Sequence, residues 1–254
     1  MASRKPTRRE DALETDEAQY RHQTVSSNAL KIKLDHLKTF EPLTDNQRLF
    51  FDAYKRGDYF IALHGVAGTG KTFCAMYKAL EEVLDKNNPF KKVIVVRSAV
   101  QSREIGHLPG DVSEKMEIYQ QPYRQICETL FGRKDAWDRL EEQNFVEFIS
   151  TSFIRGMSFD DAIIIVDECQ NMNWSEISTV MTRVGYRSKI MWCGDYRQTD
   201  LIKTRNDSSG IKQFLTVAKT MKSFTHIEFS VEDIVRSSLV RDWIIACHNL
   251  DIDV

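Results

Sequence analysis

Residues 64–72 read HGVAGTGKT and place Gly65, Gly70, Lys71 and Thr72 at the spacing G-x-x-x-x-G-K-[ST]. Each part of that spacing has a physical task. Glycines let backbone N–H groups turn inward around phosphate oxygens. The loop Gly65, Val66, Ala67, Gly68, Thr69 and Gly70 is therefore a candidate nucleotide cradle. A helix opening at Lys71 would aim its positive end at the same anion. Lys71 supplies a point charge toward the β- and γ-phosphates, and Thr72 offers a hydroxyl to Mg²⁺. A chance match somewhere in a chain of this length has a frequency of about one per cent. Context weakens the alternative of an incidental glycine-rich turn. An apolar run at 60–63 precedes the loop, and Phe73, Met76, Tyr77, Leu80 and Leu84 follow at helical spacing.

A second stretch, AIIIVDECQN, ends an apolar run with Asp167 and Glu168. At the carboxyl edge of a sheet, where ligands of α/β folds bind, this pair can work on a phosphoanhydride. Asp167 can hold Mg²⁺, and Glu168 can orient or deprotonate the attacking water. Alone, an acidic pair leaving a strand for solvent is the commoner reading; beside a phosphate loop it is not. The stretch KIMWCGDYRQTD repeats the arrangement, with Gln198 four residues after Gly194. That amide could contact a γ-phosphate or the lytic water, or belong to an ordinary turn. Gln47, upstream of the loop, could read adenine, because an amide donates and accepts together. From spacing alone a surface helix residue is the favoured reading.

Arginines are the remaining chemistry. Arg97 and Ser98 end another apolar run and, with Arg103, are candidates for touching a nucleic-acid backbone. The other reading of Arg97 is an ion pair with Glu104 or Asp111. Arg183, Arg187 and Lys189 form a second basic cluster. Few aromatic residues interleave these segments, so backbone contact is favoured over base readout. Near the end, SVEDIVRSSLVRDW suggests a helix capped by Ser230 and Asp233 and starting near Val231. Counting 100° per residue puts Val235, Leu239, Val240, Trp243, Cys247 and Arg236 on one apolar side. Arg241 falls roughly 140° away, on a solvated face. An arginine on a buried face needs an anion, here a phosphate or a carboxylate such as Asp195. Arg236 is thus the phosphate-side candidate, while Arg183, Arg205 and Arg241 are candidates for an intersubunit contact.

The elements that must position these groups follow from periodicity. The apolar runs YFIAL, KVIVV, VEFIS, AIIIV, KIMWC and HIEF alternate with longer helical stretches. That pattern predicts an α/β three-layer sandwich with a mainly parallel sheet. LTDNQRLFFDAYKRGD reads as a helix capped by a Thr or Asp, with Leu49, Phe50, Ala53 and Tyr54 on one face. ALKIKLDHL alternates like a short edge strand. Residues 1–40 form a polar, partly disordered extension, with 1–25 the most polar, and 41–254 form the domain. A net charge of −2 excludes a broadly cationic nucleic-acid coat. Five cysteines stand singly, as reduced buried thiols do. No signal peptide or membrane span is expected, which predicts a cytoplasmic protein with no membrane partner.

The set LTDNQRLFFDA, GVAGTGKT, VVRSAV…GHLPGD…EK, DECQN, TRVG…SK, GDYRQTDL, SSG and DIVR resembles the PhoH family over about residues 41–245. Its members are P-loop ATPases with a RecA-like core related to superfamily 1 helicases. The short form is similar to PhoH-like proteins of phages and bacteria. The resemblance implies Mg²⁺-dependent ATP hydrolysis, an adenine-side role for Gln47 and a phosphate-sensing role for Gln198. Arg236 falls within the DIVR motif. RNA or single-stranded DNA as partner, a homo-oligomeric, hexameric ring, and helicase activity are also implied. One departure is Cys169, where the family usually carries alanine. The alternative function is a nucleotide-gated switch with slow hydrolysis and no unwinding. A kinase is disfavoured, because the acidic pair and the glutamine suit water as nucleophile. A GTPase is disfavoured by the lack of an N/T-K-x-D motif. Helicases of this type close ATP between two cores, and this chain has the length of one, so unwinding would need a ring or a partner.

Overall fold

The computed structural model describes residues 31–98, 112–195, 210–250 and 252. Its centre is a parallel six-stranded sheet of β1 (Phe60–Gly65), β2 (Lys92–Arg97), β3 (Val146–Ser150), β4 (Ala162–Asp167), β5 (Lys189–Gly194) and β6 (Phe224–Phe229). The strand order is β3-β2-β4-β5-β1-β6, with every pair parallel. All six apolar runs expected to be strands are strands. The central ones are buried throughout because helices cover both faces.

Among the described residues seven α-helices accompany the strands: α1 (Asp45–Arg56), α2 (Lys71–Leu84), α3 (Val112–Phe131), α4 (Ala136–Glu142), α5 (Trp174–Met181), α6 (Ile211–Ala218) and α7 (Ser238–Asn249). Alternation along the strands divides the core in two. Ile61, Leu63, Val93, Val95, Ile163, Ile165, Met191 and Cys193 face α1–α4. Ala62, Ile94, Val96, Ile164, Val166, Ile190 and Trp192 face α5 and α6. The register pairs Val93 with Ile163, Val95 with Ile165, and Arg97 with Asp167. Residues of one parity therefore stand side by side on one face. At the carboxyl edge this sets Arg97 and Asp167 on the face that carries α2 and α3.

Three local expectations are corrected. Residues 31–33 and 37 onward are not a strand, and Leu34–His36 is a single 3-10 turn. Ile32 enters the core cluster of α1–α4 instead, and the Lys38 N–H bonds to the Leu130 carbonyl at 2.9 Å. The alternation of apolar residues is satisfied by packing on helices, with no ladder partner. Residues 31–40, expected within the extension, thus pack against the domain, while 1–30 lie outside the described residues. On α1, Thr44 is the N-cap and Phe50, Ala53 and Tyr54 are buried, but Leu49 is 56% exposed and Gln47 is buried in its place. Finally, the helix expected from Val231 is only a 3-10 turn, Val231–Asp233, with the Ser230–Asp233 capping box present. Asp233 Oδ2 also accepts from Asn46 at 2.7 Å, which ties the turn to α1. The α-helix begins seven residues later at Ser238, so Arg236 precedes it. Leu239 and Trp243 are 79% and 66% exposed, and Ile244 and Cys247 are buried.

Candidate active site

The phosphate loop leaves β1 with φ of +124° at Gly65, +74° at Gly68 and +82° at Gly70. Gly65 is required twice over. A Cβ there would stand 2.0 Å from the Phe229 carbonyl oxygen, the same oxygen that accepts the Val66 N–H at 3.1 Å. α2 then starts at Lys71, so its first N–H groups face the loop. The Lys71 ammonium curls back to donate to the Gly65 and Val66 carbonyls, both at 2.8 Å. Burial draws its pKa down, opposed chiefly by Asp195. Those carbonyls hold the cation at the loop until an anion offers more.

β4 brings the acidic pair to the same edge. The Thr72 hydroxyl donates to Asp167 Oδ1 at 2.6 Å, and the Tyr123 hydroxyl of α3 donates to Asp167 Oδ2 at 2.8 Å. Both carboxylate oxygens are thereby fixed. Thr72 and Asp167 form a hard-oxygen pair of the type Mg²⁺ takes, beside a loop shaped for phosphate. Glu168 adopts a left-handed backbone, φ 50°, which a non-glycine residue holds at a cost of about 1–3 kcal/mol. Burial, then the neighbouring Asp167, raises its carboxyl above the usual range, while Gln170 opposes this. Gln170 donates to Glu168 Oε2 at 2.6 Å, and its own Oε1 accepts the Asp195 N–H at 3.1 Å. It thus links the ends of β4 and β5. Gly194 lets these ends approach, since a Cβ there would stand 2.6 Å from both Cys169 Sγ and Gln170 Oε1.

A cavity of about 640 Å³ joins these groups, within the roughly 300–1,000 Å³ of small-molecule sites. Its phosphate end is lined by Ala67 to Thr72, Arg97, Asp167, Glu168, Asp195 and Arg236. Its other end is lined by Phe40, Leu43, Gln47, Phe73 and the α3 residues Gln125, Ile126 and Thr129. Gln47 is not a surface residue: it is 1% exposed. Its Oε1 accepts the Leu43 N–H at 2.8 Å, and its Nε2 donates to the Thr69 carbonyl at 3.0 Å.

Arg236 reaches the site by a route different from the expected helical stripe. The segment after the 3-10 turn runs across the loop, where the Val235 N–H bonds to the Gly68 carbonyl at 3.0 Å. A Cβ on Gly68 would meet Arg236 Cγ at 3.0 Å. Arg236 is exposed at its own chain's phosphate loop, rather than buried in an apolar face. Arg241 is exposed on α7 near Glu232, whose carboxyl it helps to lower after the Ser230 hydrogen bond.

The other arginines separate. Arg97 lines the cavity, whereas Ser98 turns to the opposite face. The Ser98 hydroxyl donates to Glu176 Oε1 at 2.7 Å, an oxygen shared with Thr151 at 2.6 Å. Ser98 is 7% exposed, with its hydroxyl engaged on that face. Arg183 donates to the Met157 carbonyl at 3.4 Å, just before β4 begins, at the sheet edge opposite the phosphate loop. The second basic cluster does not form a patch. Arg187 pairs with Asp161 at 2.6 Å, and Lys189 turns inward to Glu82 at 2.7 Å. Arg103, Gln198 and Arg205 lie outside the described residues. Sequence reasoning missed Tyr123 and Gln170. Only the position of Gln170 two residues after Glu168 offered a signal.

A family model described as PhoH-like protein matches residues 39–248. A PhoH-like protein of Bacillus subtilis (strain 168) is 37% identical over 208 residues, covering 80% of this chain and 62% of that protein. One from Synechocystis sp. (strain ATCC 27184 / PCC 6803 / Kazusa) is 31% identical over 233 residues, covering 91% of this chain and 67% of that protein. The chain thus spans 62% of the length of the first of these curated relatives. Among solved structures, the Pif1 helicase from Candida albicans aligns with a TM-score of 0.42 at 17% identity, over 84% of this chain and 44% of that one. Among the described residues no helix is long and apolar enough to cross a membrane.

Proposed function

The chain belongs to the PhoH-like family, and on that footing we propose that it is a Mg²⁺-dependent ATPase. The observation that carries this reading is the meeting of Lys71, Thr72, Asp167 and Glu168 around one cavity, with Thr72 Oγ1 and Asp167 Oδ1 at 2.6 Å. Thr72 and Asp167 would hold the metal. The chemistry such an ion would supply there is positive charge against that developing on the phosphate groups. Loop N–H groups and the start of α2 bind the phosphates. Lys71 leaves the loop carbonyls for the γ-phosphate, and Arg236 adds charge from across Gly68. Glu168, held by Gln170, takes a proton from the attacking water. Gln198 is assigned the sensing of the γ-phosphate. Gln47 closes the base end with Leu43 and Phe40, using the second N–H and lone pair its amide retains.

Phosphate release from ATP by purified protein, with and without EDTA, tests this reading. We expect Lys71→Ala to abolish turnover and Glu168→Gln to lower kcat about 10²–10⁴-fold while nucleotide binding persists. Wild-type protein that releases no phosphate, or Lys71→Ala protein that turns over normally, would refute it. Coupling to RNA or single-stranded DNA is the finer step. With Ser98 internal and Arg97 in the cavity, Arg103 is the remaining candidate of the three for the strand. Turnover unchanged by poly-U RNA and by single-stranded DNA at low salt would remove that coupling. The finer proposal of a hexameric ring leaves Arg183, which lies away from its own phosphate loop, as a candidate for an intersubunit contact; mass photometry with and without nucleotide reads the assembly. Mixing Arg236→Ala with Glu168→Gln protein separates action in cis, which the contact with Gly68 supports, from action in trans.

A further inference from the structure

We propose that Arg97 acts on the phosphate end of the nucleotide in its own chain, held in position by Tyr119 and Tyr123. The inference rests on the ATPase reading above and adds a catalytic residue to it. The argument starts from strand parity. Val93, Val95 and Arg97 share a face with Ile163, Ile165 and Asp167, in register. The last pair stands where both strands end, beside the phosphate loop. Arg97 lines the cavity with Lys71, Asp167, Glu168, Asp195 and Arg236.

The guanidinium is also preorganised. Its Cζ lies 5.6 Å from the centroid of the Tyr119 ring, and the Tyr123 side chain, with Asp167 and Glu168, is close enough to act on its charge. Tyr119 and Tyr123 are four residues apart on α3, hence on one helical face. Tyr123 is fully buried and its hydroxyl donates a hydrogen bond to Asp167 Oδ2 at 2.8 Å. A guanidinium fixed beside a carboxylate, in a cavity built for a polyanion, needs no reorganisation when charge develops on the transferring group. A role on a nucleic-acid strand would instead need Arg97 at the outer surface, and Ser98, its neighbour in chain, is committed to Glu176.

The test uses the full chain, with turnover measured in the absence of nucleic acid and RNA binding measured separately. Wild type, Lys71→Ala, Arg97→Gln and Arg97→Lys are compared for kcat and KM with MgATP and for binding of a fluorescent poly-U RNA. We expect Arg97→Gln to lower kcat about 10²–10³-fold, the effect of removing one transition-state donor. KM should stay within about threefold, and RNA affinity within about twofold. Arg97→Lys keeps the charge but loses the planar fork, so kcat should fall about tenfold. A kcat within about threefold of wild type in Arg97→Gln, with RNA binding weakened tenfold or more, overturns the proposal and returns Arg97 to the strand. Should Arg97→Gln fail to fold by thermal denaturation, Arg97→Lys decides alone, and an unchanged kcat overturns the proposal. Wild type without turnover, or Lys71→Ala with normal turnover, removes the ATPase reading and this proposal with it. Loss in Lys71→Ala without loss at Arg97 removes the proposal only.

Discussion

Gln47 offers the sharpest quantitative test, because its amide is satisfied on both sides and 1% exposed. Replacing it by alanine removes the acceptor of the Leu43 N–H and the donor to the Thr69 carbonyl, contacts of 2.8 and 3.0 Å. The two losses are unequal. Leu43 is 67% exposed, so water can replace its partner at a cost of about 0–1 kcal/mol. Thr69 is 0% exposed, and its orphaned carbonyl costs about 1–3 kcal/mol. Adding the lost packing gives about 2–4 kcal/mol, or a fall in Tm of about 5–15 °C for a domain of this size. Gln47→Glu keeps the acceptor but sets a carboxylate against the Thr69 carbonyl. It should be at least as harmful at pH 7. Protonation would restore a donor, so the folded-state pKa is raised above the unfolded value. The stability of Gln47→Glu should then increase as pH falls from 7 toward about 4.5, relative to wild type at each pH. Thermal and urea unfolding measure all of this. A Tm shift under about 2 °C in Gln47→Ala, with ATP discrimination over GTP lost, would refute the bracing argument and leave Gln47 as a base reader only.

Gly65→Ala should not yield a folded nucleotide-binding protein, since its Cβ would lie 2.0 Å from the Phe229 oxygen at a φ of +124°; circular dichroism and fluorescent-nucleotide binding check it. Tyr123→Phe leaves one Asp167 oxygen without its 2.8 Å donor, and the Mg²⁺ concentration needed for half-maximal turnover should rise about 10–100-fold. His64 stacks on His226 at 4.1 Å and is held down to a pKa of about 3, first by burial and then by His226 and Lys71. The folded state therefore binds fewer protons than the unfolded state between about pH 3 and the ordinary histidine value of 6.5. Its contribution to stability is lost as pH falls through that window, by about 1.4 kcal/mol at pH 5.5. Urea unfolding at pH 7.5, 6.5 and 5.5 should show this slope in wild type and a flatter one in His64→Leu.

How much of this was legible in the residues depends on the range of the interaction. The phosphate loop and the acidic pair are local signals, spelled out within ten residues each, and both were found. The six strands were found because runs such as AIIIV are apolar at both parities, a property that only a doubly covered sheet needs. The segments that were misjudged carry the right local pattern for the wrong partner. Residues 31–37 alternate like a strand, yet they pair with neither edge strand, β3 or β6, and Ile32 and Leu37 pack on helices instead. The segment 231–243 has a helical stripe, but Asp233 is held by Asn46 on α1 and Val235 by Gly68. These two ties hold the segment as a 3-10 turn followed by irregular backbone until the α-helix begins at Ser238.

The direction of Arg97 falls between these cases. Parity along β2 was visible, and so was parity along β4. What was missing was the register, because Arg97 can be matched to Asp167 only once β2 and β4 are known to be neighbours. A tyrosine 44 residues from the carboxylate it holds has no such clue at all. Yet once the register is given, the same alternation that buries Val93 and Val95 forces Arg97 toward α2 and α3, and forces Ser98 away from them. The assignment of Arg97 to the nucleotide therefore depends on strand geometry before it depends on charge. Moving the register by one residue would exchange the roles of Arg97 and Ser98.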